Sequence, residues 1–324
     1  MEPADKQKRL RELRSELSRL TKGWAGSRLP AADLRRSALQ RVAERARPAG
    51  AAPQEPLVYR RDLPRVIPAA AAPAAGAPRA RQGRVDLSEA FPTGREVGSE
   101  RGVLFEVRQP AEEVDGVVGL DAAFGRELLA GDSPLCRCIG RACEAGALQP
   151  SDLLFMDIET TGLSNSPLFL IGIMGCWEGR LEVRQFFARD YAEEAAVIAR
   201  FVQDAAAKRV VVSFNGKSFD VPYVRNRAVA HRVDFRLAEA HVDLLHESRR
   251  RWRGVLPDCR LQTLEQRVCR HAPRTGDIPG SEIPAAYHAY VRSNDAWQMV
   301  DTLRHNARDL VTLAELLLRL DAEV

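Results

Sequence analysis

The chain has 324 residues, of which 45% are hydrophobic, 28% charged and 6% aromatic, enough for about two domains and at least one substantial core. Its longest apolar stretch, Pro167 to Trp177, is broken by glycines and falls short of the ~18 residues of a membrane span, so no membrane association is expected. The opening MEPADKQKRLRELRSEL has no apolar core, and six cysteines in this length do not make a disulfide framework; the expectation is a protein without a secretory signal, in a reducing cytoplasm.

Charge divides the chain. Residues 1–84 carry 19 Lys and Arg against 8 Asp and Glu, a balance of +11, and the remainder balances at −7. Such asymmetry suggests a basic tail that meets nucleic acid or another polyanion, although a solvated extension has the same composition. Leu10, Leu13, Leu17 and Leu20 recur at helical spacing, so residues 1–47 read as a basic amphipathic helical leader, with helices over 5–21 and 32–45. Residues 48–84 are Ala/Pro/Gly-rich with few large side chains to bury, and read as a linker.

From Val85 the pattern turns globular. Residues 85–150 form a lead-in segment, with a strand at GVLFEV (102–107) and a helix at GLDAAFGRELL (119–129). The main domain is expected over 151–324. In it, Leu153–Ile158 is an apolar strand ending in acids, and 168–176 and 181–188 are two strands turning at Glu178-Gly179. A helix over 192–207, a β-branched strand over 209–214, a helix over 221–230 and a long helix around 301–320 follow. A strand pair followed by strands alternating with helices predicts an α/β domain with a mixed sheet.

Three elements carry chemistry. In FMDIETTG (155–162), Asp157 and Glu159 lie two apart on a strand, hence on one face. Two such carboxylates repel unless a cation neutralises them, and hard oxygen donors favour Mg²⁺ or Mn²⁺. Alone, the pair also fits a strand end in water. In SFNGKSFD (213–220) a second strand ends at Asn215-Gly216, and Asp220 falls in the first turn of a helix, where the dipole favours a negative charge. In HNARDL (305–310), His305 and Asp309 are at i and i+4, on one helix face away from most of the Leu310, Leu313, Leu317 stripe.

In that order these elements resemble the DnaQ-like 3′–5′ exonucleases of ribonuclease H fold. DIETTGL, SFNGKSFDVP, HVDLLHESRRRW, RLQTLE, DIPGSEIPAAYHAYVR and HNARDLVTL resemble the YprB-type branch in particular, over about residues 94–320. The resemblance implies a ribonuclease H-like mixed sheet flanked by helices; by its own composition, the N-terminal extension before it reads as largely disordered or helical. The resemblance also implies four metal-binding acids, Asp157, Glu159, Asp220 and Asp309, holding two Mg²⁺ or Mn²⁺ ions. Asp157 would bridge them, Glu159 and Asp309 would hold the ion on the attacking side, and Asp220 the second. His305 matches the general base, although its spacing of four from the last acid is that of the tyrosine type; His271, Tyr287, His288 and Tyr290 are the alternatives. The implied activity is phosphodiester hydrolysis of nucleic acid, DNA before RNA, in repair or processing, with a helicase or repair protein as the implied partner. A non-catalytic nucleic-acid-binding scaffold and a metal-dependent endonuclease are the other readings, and oligomeric state is left open.

Further residues are expected to meet substrate: Thr161 and Gly162 by family likeness, Asn215 at its turn, and Arg249, Arg250 and Trp252 of RRRWR through phosphate contact and base stacking. A buried Trp at a solvated helix end is the plain alternative. Asp243 reads first as a helix cap and second as a supporting acid. CRCIGRAC (136–143) lacks the paired knuckles and the fourth ligand of a structural zinc site. The leader generates a prediction. Deleting residues 1–84 should weaken nucleic-acid binding and flatten its salt dependence without lowering turnover at saturating substrate, as measured by filter binding against salt and by steady-state cleavage.

Overall fold

A computed structural model of the chain describes residues 84–114, 119–129, 139, 148–163 and 166–321. The leader, the linker up to residue 83 and every cysteine of the CRCIGRAC segment lie outside the described residues. In chain order the elements are α1 (Leu87–Ala90), β1 (Gly94–Ser99), β2 (Gly102–Pro110), α2 (Leu120–Leu129), β3 (Leu153–Thr160), β4 (Leu168–Trp177), β5 (Arg180–Phe187) and α3 (Glu194–Ala205). They continue with β6 (Val210–Ser213), α4 (Asp220–Ala230), β7 (Ala240–Asp243), α5 (Leu244–Trp252), α6 (Leu261–Arg267), α7 (Ile283–Ser293) and α8 (Trp297–Asp321).

The expected mixed sheet is present, with helices on both faces. Seven strands run in the order β1-β2-β5-β4-β3-β6-β7. The pairs from β1 through β5 and β4 to β3 are antiparallel, and β3–β6 and β6–β7 are parallel. The β4–β5 hairpin turns at Glu178 and Gly179, both with positive φ (51° and 80°), the backbone that a tight two-residue hairpin requires. In β6, Val210, Val211 and Val212 are all fully buried, as befits a parallel strand covered on both faces.

Strand alternation assigns side chains to two cores. Leu154, Met156 and Ile158 of β3 face a core shared with α3, α4 and α7, whereas Leu153 and Phe155 face α5, α6 and most of α8. Asp157 and Glu159 therefore continue the row of Leu153 and Phe155, towards α8. β3 pairs with β4 as far as Thr160 but with β6 only over Leu153–Phe155. Its acid-bearing end thus projects past β6.

Several elements depart from the sequence reading, which also placed no helix at α1 or α6. β1 was not expected, because GREVGS lacks an apolar alternation; it is an edge strand with mostly half-buried or exposed side chains. α7 was also missed. α8 begins at Trp297 rather than near Asp301, because Asp295 accepts the Trp297 N–H at 3.2 Å and starts the helix earlier. No helix among the described residues is long and apolar enough to cross a membrane.

Candidate active site

Asp157 and Glu159 occupy the free end of β3, and the three other predicted residues reach them from two helices. Asp220, 5% exposed, is the first residue of α4, which follows β6 through a turn at Asn215 (φ 65°). Its carboxylate accepts a backbone hydrogen bond from Ile158, the residue between the two strand acids. Ile158 lies beyond the last β6 pairing, so Asp220 satisfies an N–H that the short neighbouring strand leaves open. From α8, His305 and Asp309 face the same end of the sheet, with His305 Nε2 3.5 Å from Asp309 Oδ2.

The electrostatics show how closely these groups are gathered. Asp157 is pushed well above the carboxylate range, by burial first and then by the charges of Glu159, Asp309 and Asp220; a hydrogen bond from Asn306 works against them. Glu159 is raised to about 8, by burial and by Asp309, Asp220 and Asp277, with His305 opposing. Asp220 is raised to about 7, by burial and by Asp243, against two backbone hydrogen bonds. His305 is raised although burial alone would lower it, because Asp277, Asp309 and Glu159 favour its charged form.

Two supports were not evident from sequence. The first is a row across three strands: Asp157 on β3 lies opposite Gly172 on β4, and Gly172 opposite Gln185 on β5. Asn306 of α8, fully buried, lies over Gly172. It donates to Asp157 Oδ2 at 2.8 Å and accepts from Gln185 Nε2 at 2.9 Å. A Cβ on Gly172 would sit 2.0 Å from Asn306 Oδ1, so the missing side chain lets the helix seat. The second support is the α6–α7 connection. Arg274 contacts Asp309 at 2.6 Å, Glu265 at 2.8 Å and Asp277 at 3.3 Å, and Asp277 contacts His305 Nδ1 at 2.9 Å.

Other expected residues have different surroundings. Asp243 caps α5, accepting from Leu245 N, and also takes the N–H groups of Asn215 and Lys217; it stiffens the turn that leads to Asp220. Thr161 Oγ1 donates to the Pro167 carbonyl at 3.0 Å, and Tyr223 donates to the carbonyls of Gly162 and Ser166. These three bonds tie down the chain after the strand acids, where Leu163 is 88% exposed. Arg249 and Arg250 are exposed on the last turn of α5, where Arg250 pairs with Glu247. The stacking expectation for Trp252 is corrected: the indole is 4% exposed, inside the core that contains Leu244 and Leu264, and offers no face to a base. Among the alternatives to His305, Tyr287 and Tyr290 are core residues, His271 pairs with Glu315 and His288 with Tyr191.

Family membership agrees with this architecture. The family described as the RNase_H superfamily matches residues 154–320, and the chain belongs to it. The YprB-type resemblance is matched by a curated relative, the uncharacterized protein YprB of Bacillus subtilis (strain 168). That protein is 28% identical over 191 residues, which cover 57% of this chain and 46% of the relative; the chain thus spans about half of that protein's length. A solved structure, the family B DNA polymerase of the hyperthermophilic archaeon Pyrobaculum calidifontis, aligns with 21% identity and a TM-score of 0.42. It covers 53% of this chain and 25% of the polymerase.

The fold is thus of nuclease type, and the donor set suits a hard divalent cation: the carboxylates that raise one another's pKa are all-oxygen ligands with charge to be offset. Among the described residues, no group of three or more His, Cys, Asp or Glu side chains is arranged so that it could hold a metal ion as it stands. Two predictions follow from the geometry. Gly172→Ala should cost about 1–3 kcal/mol through overpacking against Asn306, seen as a lower urea midpoint at unchanged slope; an unchanged midpoint would mean that α8 is not seated on the sheet in this way. The second concerns pH. A carboxyl raised in the fold contributes stability that is full below its unfolded pKa and lost as pH rises through the folded value. Glu159, Asp220 and His305 all act in this direction, so the metal-free protein should lose thermal stability as pH climbs from about 5 to about 8. Added Mn²⁺ should restore it, more at the upper end, because a cation displaces those protons. Melting curves with and without Mn²⁺ at both ends of the range test this, and a melting temperature insensitive to Mn²⁺ at high pH would remove the acid cluster as a cation site.

Proposed function

We propose that the chain is a divalent-metal-dependent exonuclease that hydrolyses phosphodiester bonds of nucleic acid, DNA before RNA, from the 3′ end. The observation that supports the reading is that Asp157, at the half-buried end of β3, feels the charges of Glu159, Asp309 and Asp220, with His305 beside Asp309. The four acids would hold two ions, Mg²⁺ or Mn²⁺. When bound, such ions lower the pKa of water and stabilise the charge on the leaving oxygen.

The residues of the chain then have separable tasks. His305 Nε2 takes the proton of the attacking water as its oxygen bonds to phosphorus. The P–O3′ bond breaks, the leaving 3′ oxygen gains a proton from solvent, and a nucleoside 5′-monophosphate departs. Asn306 holds Asp157 in one rotamer through its 2.8 Å bond. The Thr161–Gly162 turn follows the acid-bearing β3, Asn215 lies in the turn from β6 to Asp220, and both would meet the terminal nucleotide, with exposed Leu163 as an apolar surface for its base. Arg249 and Arg250 are the proposed phosphate contacts further along the strand. Nucleic-acid repair or processing, beside a helicase or repair partner, is the setting in which such an activity belongs.

The deciding experiment is digestion of end-labelled DNA and RNA with Mg²⁺, Mn²⁺ or EDTA. Asp157→Ala and Asp220→Ala should lower kcat by about 10²-fold or more while the far-ultraviolet spectrum is kept. Cleavage that persists in EDTA, or in both variants, would overturn the reading. Cutting of a closed circular substrate would turn it into an endonuclease.

A further inference from the structure

Residues 268–282 connect α6 to α7 and contribute none of the four acids, yet two of their polar side chains turn inward against the cluster. Arg274 and Asp277 have side chains only 4% and 9% exposed. Gly276, at φ +71°, supplies the left-handed backbone that a side-chain-bearing residue adopts only under strain, and it lies directly before Asp277. The contacts close into a ring. Asp277 Oδ1 is 2.9 Å from His305 Nδ1, His305 Nε2 is 3.5 Å from Asp309 Oδ2, Asp309 Oδ1 is 2.6 Å from Arg274 Nη2, and Arg274 Nη1 is 3.3 Å from Asp277 Oδ2.

An imidazole presents Nε2 as an acceptor only when its remaining proton sits on Nδ1, and the group bonded to Nδ1 decides that. We propose that Asp277 is a positioning residue: its carboxylate accepts the Nδ1 proton of His305 and fixes the tautomer and ring angle that aim Nε2 at the acid cluster, while Arg274 holds Asp277 and Asp309 in register. The catalytic consequence rests on the exonuclease reading; the hydrogen bond does not. Asp277 is not a fifth cation ligand in this arrangement, since one of its oxygens is taken by His305 and the other by Arg274. Nor is the ring a surface ion pair of little consequence: three of its four side chains are 11% exposed or less, and Asp309, the fourth, is 16% exposed.

The test uses the full chain as wild type, Asp277→Asn, Asp277→Ala, His305→Ala and Asp277→Ala/His305→Ala. Asp277→Asn preserves volume but can turn its amide to Nδ1 and select the wrong tautomer, as in the serine-protease case of the same substitution, where turnover falls ~10⁴-fold. In metal-free protein, at a pH above the His305 transition where the ring is neutral, ¹H–¹⁵N spectra of the imidazoles, with the His305 signals assigned by their loss in His305→Ala, should show Nδ1 protonated and Nε2 bare in wild type. In both Asp277 variants that signature should be altered. With Mn²⁺ and saturating oligonucleotide, kcat should fall about 10- to 100-fold in the Asp277 variants with KM within about twofold. The double variant should be no worse than His305→Ala, because a residue that acts through His305 has nothing left to position. Multiplicative losses in the double variant, an unchanged kcat, or an unaltered His305 spectrum would overturn the proposal. If wild type cleaves nothing, the exonuclease reading fails by itself and the spectra still decide whether Asp277 sets the ring. If Asp277→Ala does not fold, Asp277→Asn carries both measurements.

Discussion

Two carboxylates on one face of a buried strand repel each other, and the elements around β3 are arranged about that repulsion. Moving Asp157 or Glu159 out of water costs several kcal/mol unless the charge is removed or matched. The protein answers from three sides. Asn306 donates to Asp157, Ile158 offers its N–H to Asp220 instead of leaving it open, and Arg274 neutralises Asp309. What these bonds leave unmatched stays as raised pKa values at Asp157, Glu159 and Asp220. A cluster of this kind is stable as a partly protonated group, and becomes fully charged when the pH rises or when something cationic arrives. Divalent cations, with the highest charge for their size, are the natural match.

The sheet decides where the cluster can form. β6 is four residues long and β3 eight, so the parallel pair is ragged and the end of β3 runs on past its neighbour. The chain leaving β6 turns at Asn215 and enters α4 beside that overhang, and the chain leaving β7 is capped by Asp243, which ties the same turn down. This is the crevice at the carboxyl ends of parallel strands, where open α/β sheets place their ligands. Here it lies between β3, whose other neighbour is antiparallel, and β6, whose neighbours are both parallel.

Much of this was legible in the sequence, and what was legible is local. D-x-E at the end of an apolar run, an acid in the first turn after a β-branched strand, and H-x-x-x-D on a helix are patterns over a few residues, fixed by strand and helix periodicity. The four acids and His305 could be singled out because each belongs to such a pattern, and the family resemblance supplied their expected roles. Asn306, Gln185 and Gly172 could not. They are 121 and 134 residues apart at the extremes of the clasp, and only the register Asp157–Gly172–Gln185 across three strands brings them together. Arg274 and Asp277 sit in a connection with no period to read, and Arg274 looks like any exposed cation until its 4% exposure is seen. Trp252 fails in the opposite direction: four arginines around it suggested a wet surface, but the periodicity of α5 carries its ring inward with Leu244, Leu245 and Ser248.

α8 concentrates these requirements in one rigid element. His305 and Asp309 face the strand end, Asn306 points into the sheet over Gly172, and Leu310, Leu313 and Leu317 fill the core below. Because all three faces belong to one helix, a shift that loosens the core also moves the histidine and the acid, and the packing thereby sets the precision of the site. A helix can fix the position of an imidazole along its axis, but it leaves the ring free to turn about χ2, where the torsion is broad. That remaining freedom has to be removed from outside the helix. The α6–α7 connection is placed to remove it, since Asp277 reaches the one nitrogen of His305 that Asp309 does not. The chemistry of the strand acids is therefore supported by two independent pieces of the fold: a packed helix that sets distance and a short loop that sets angle.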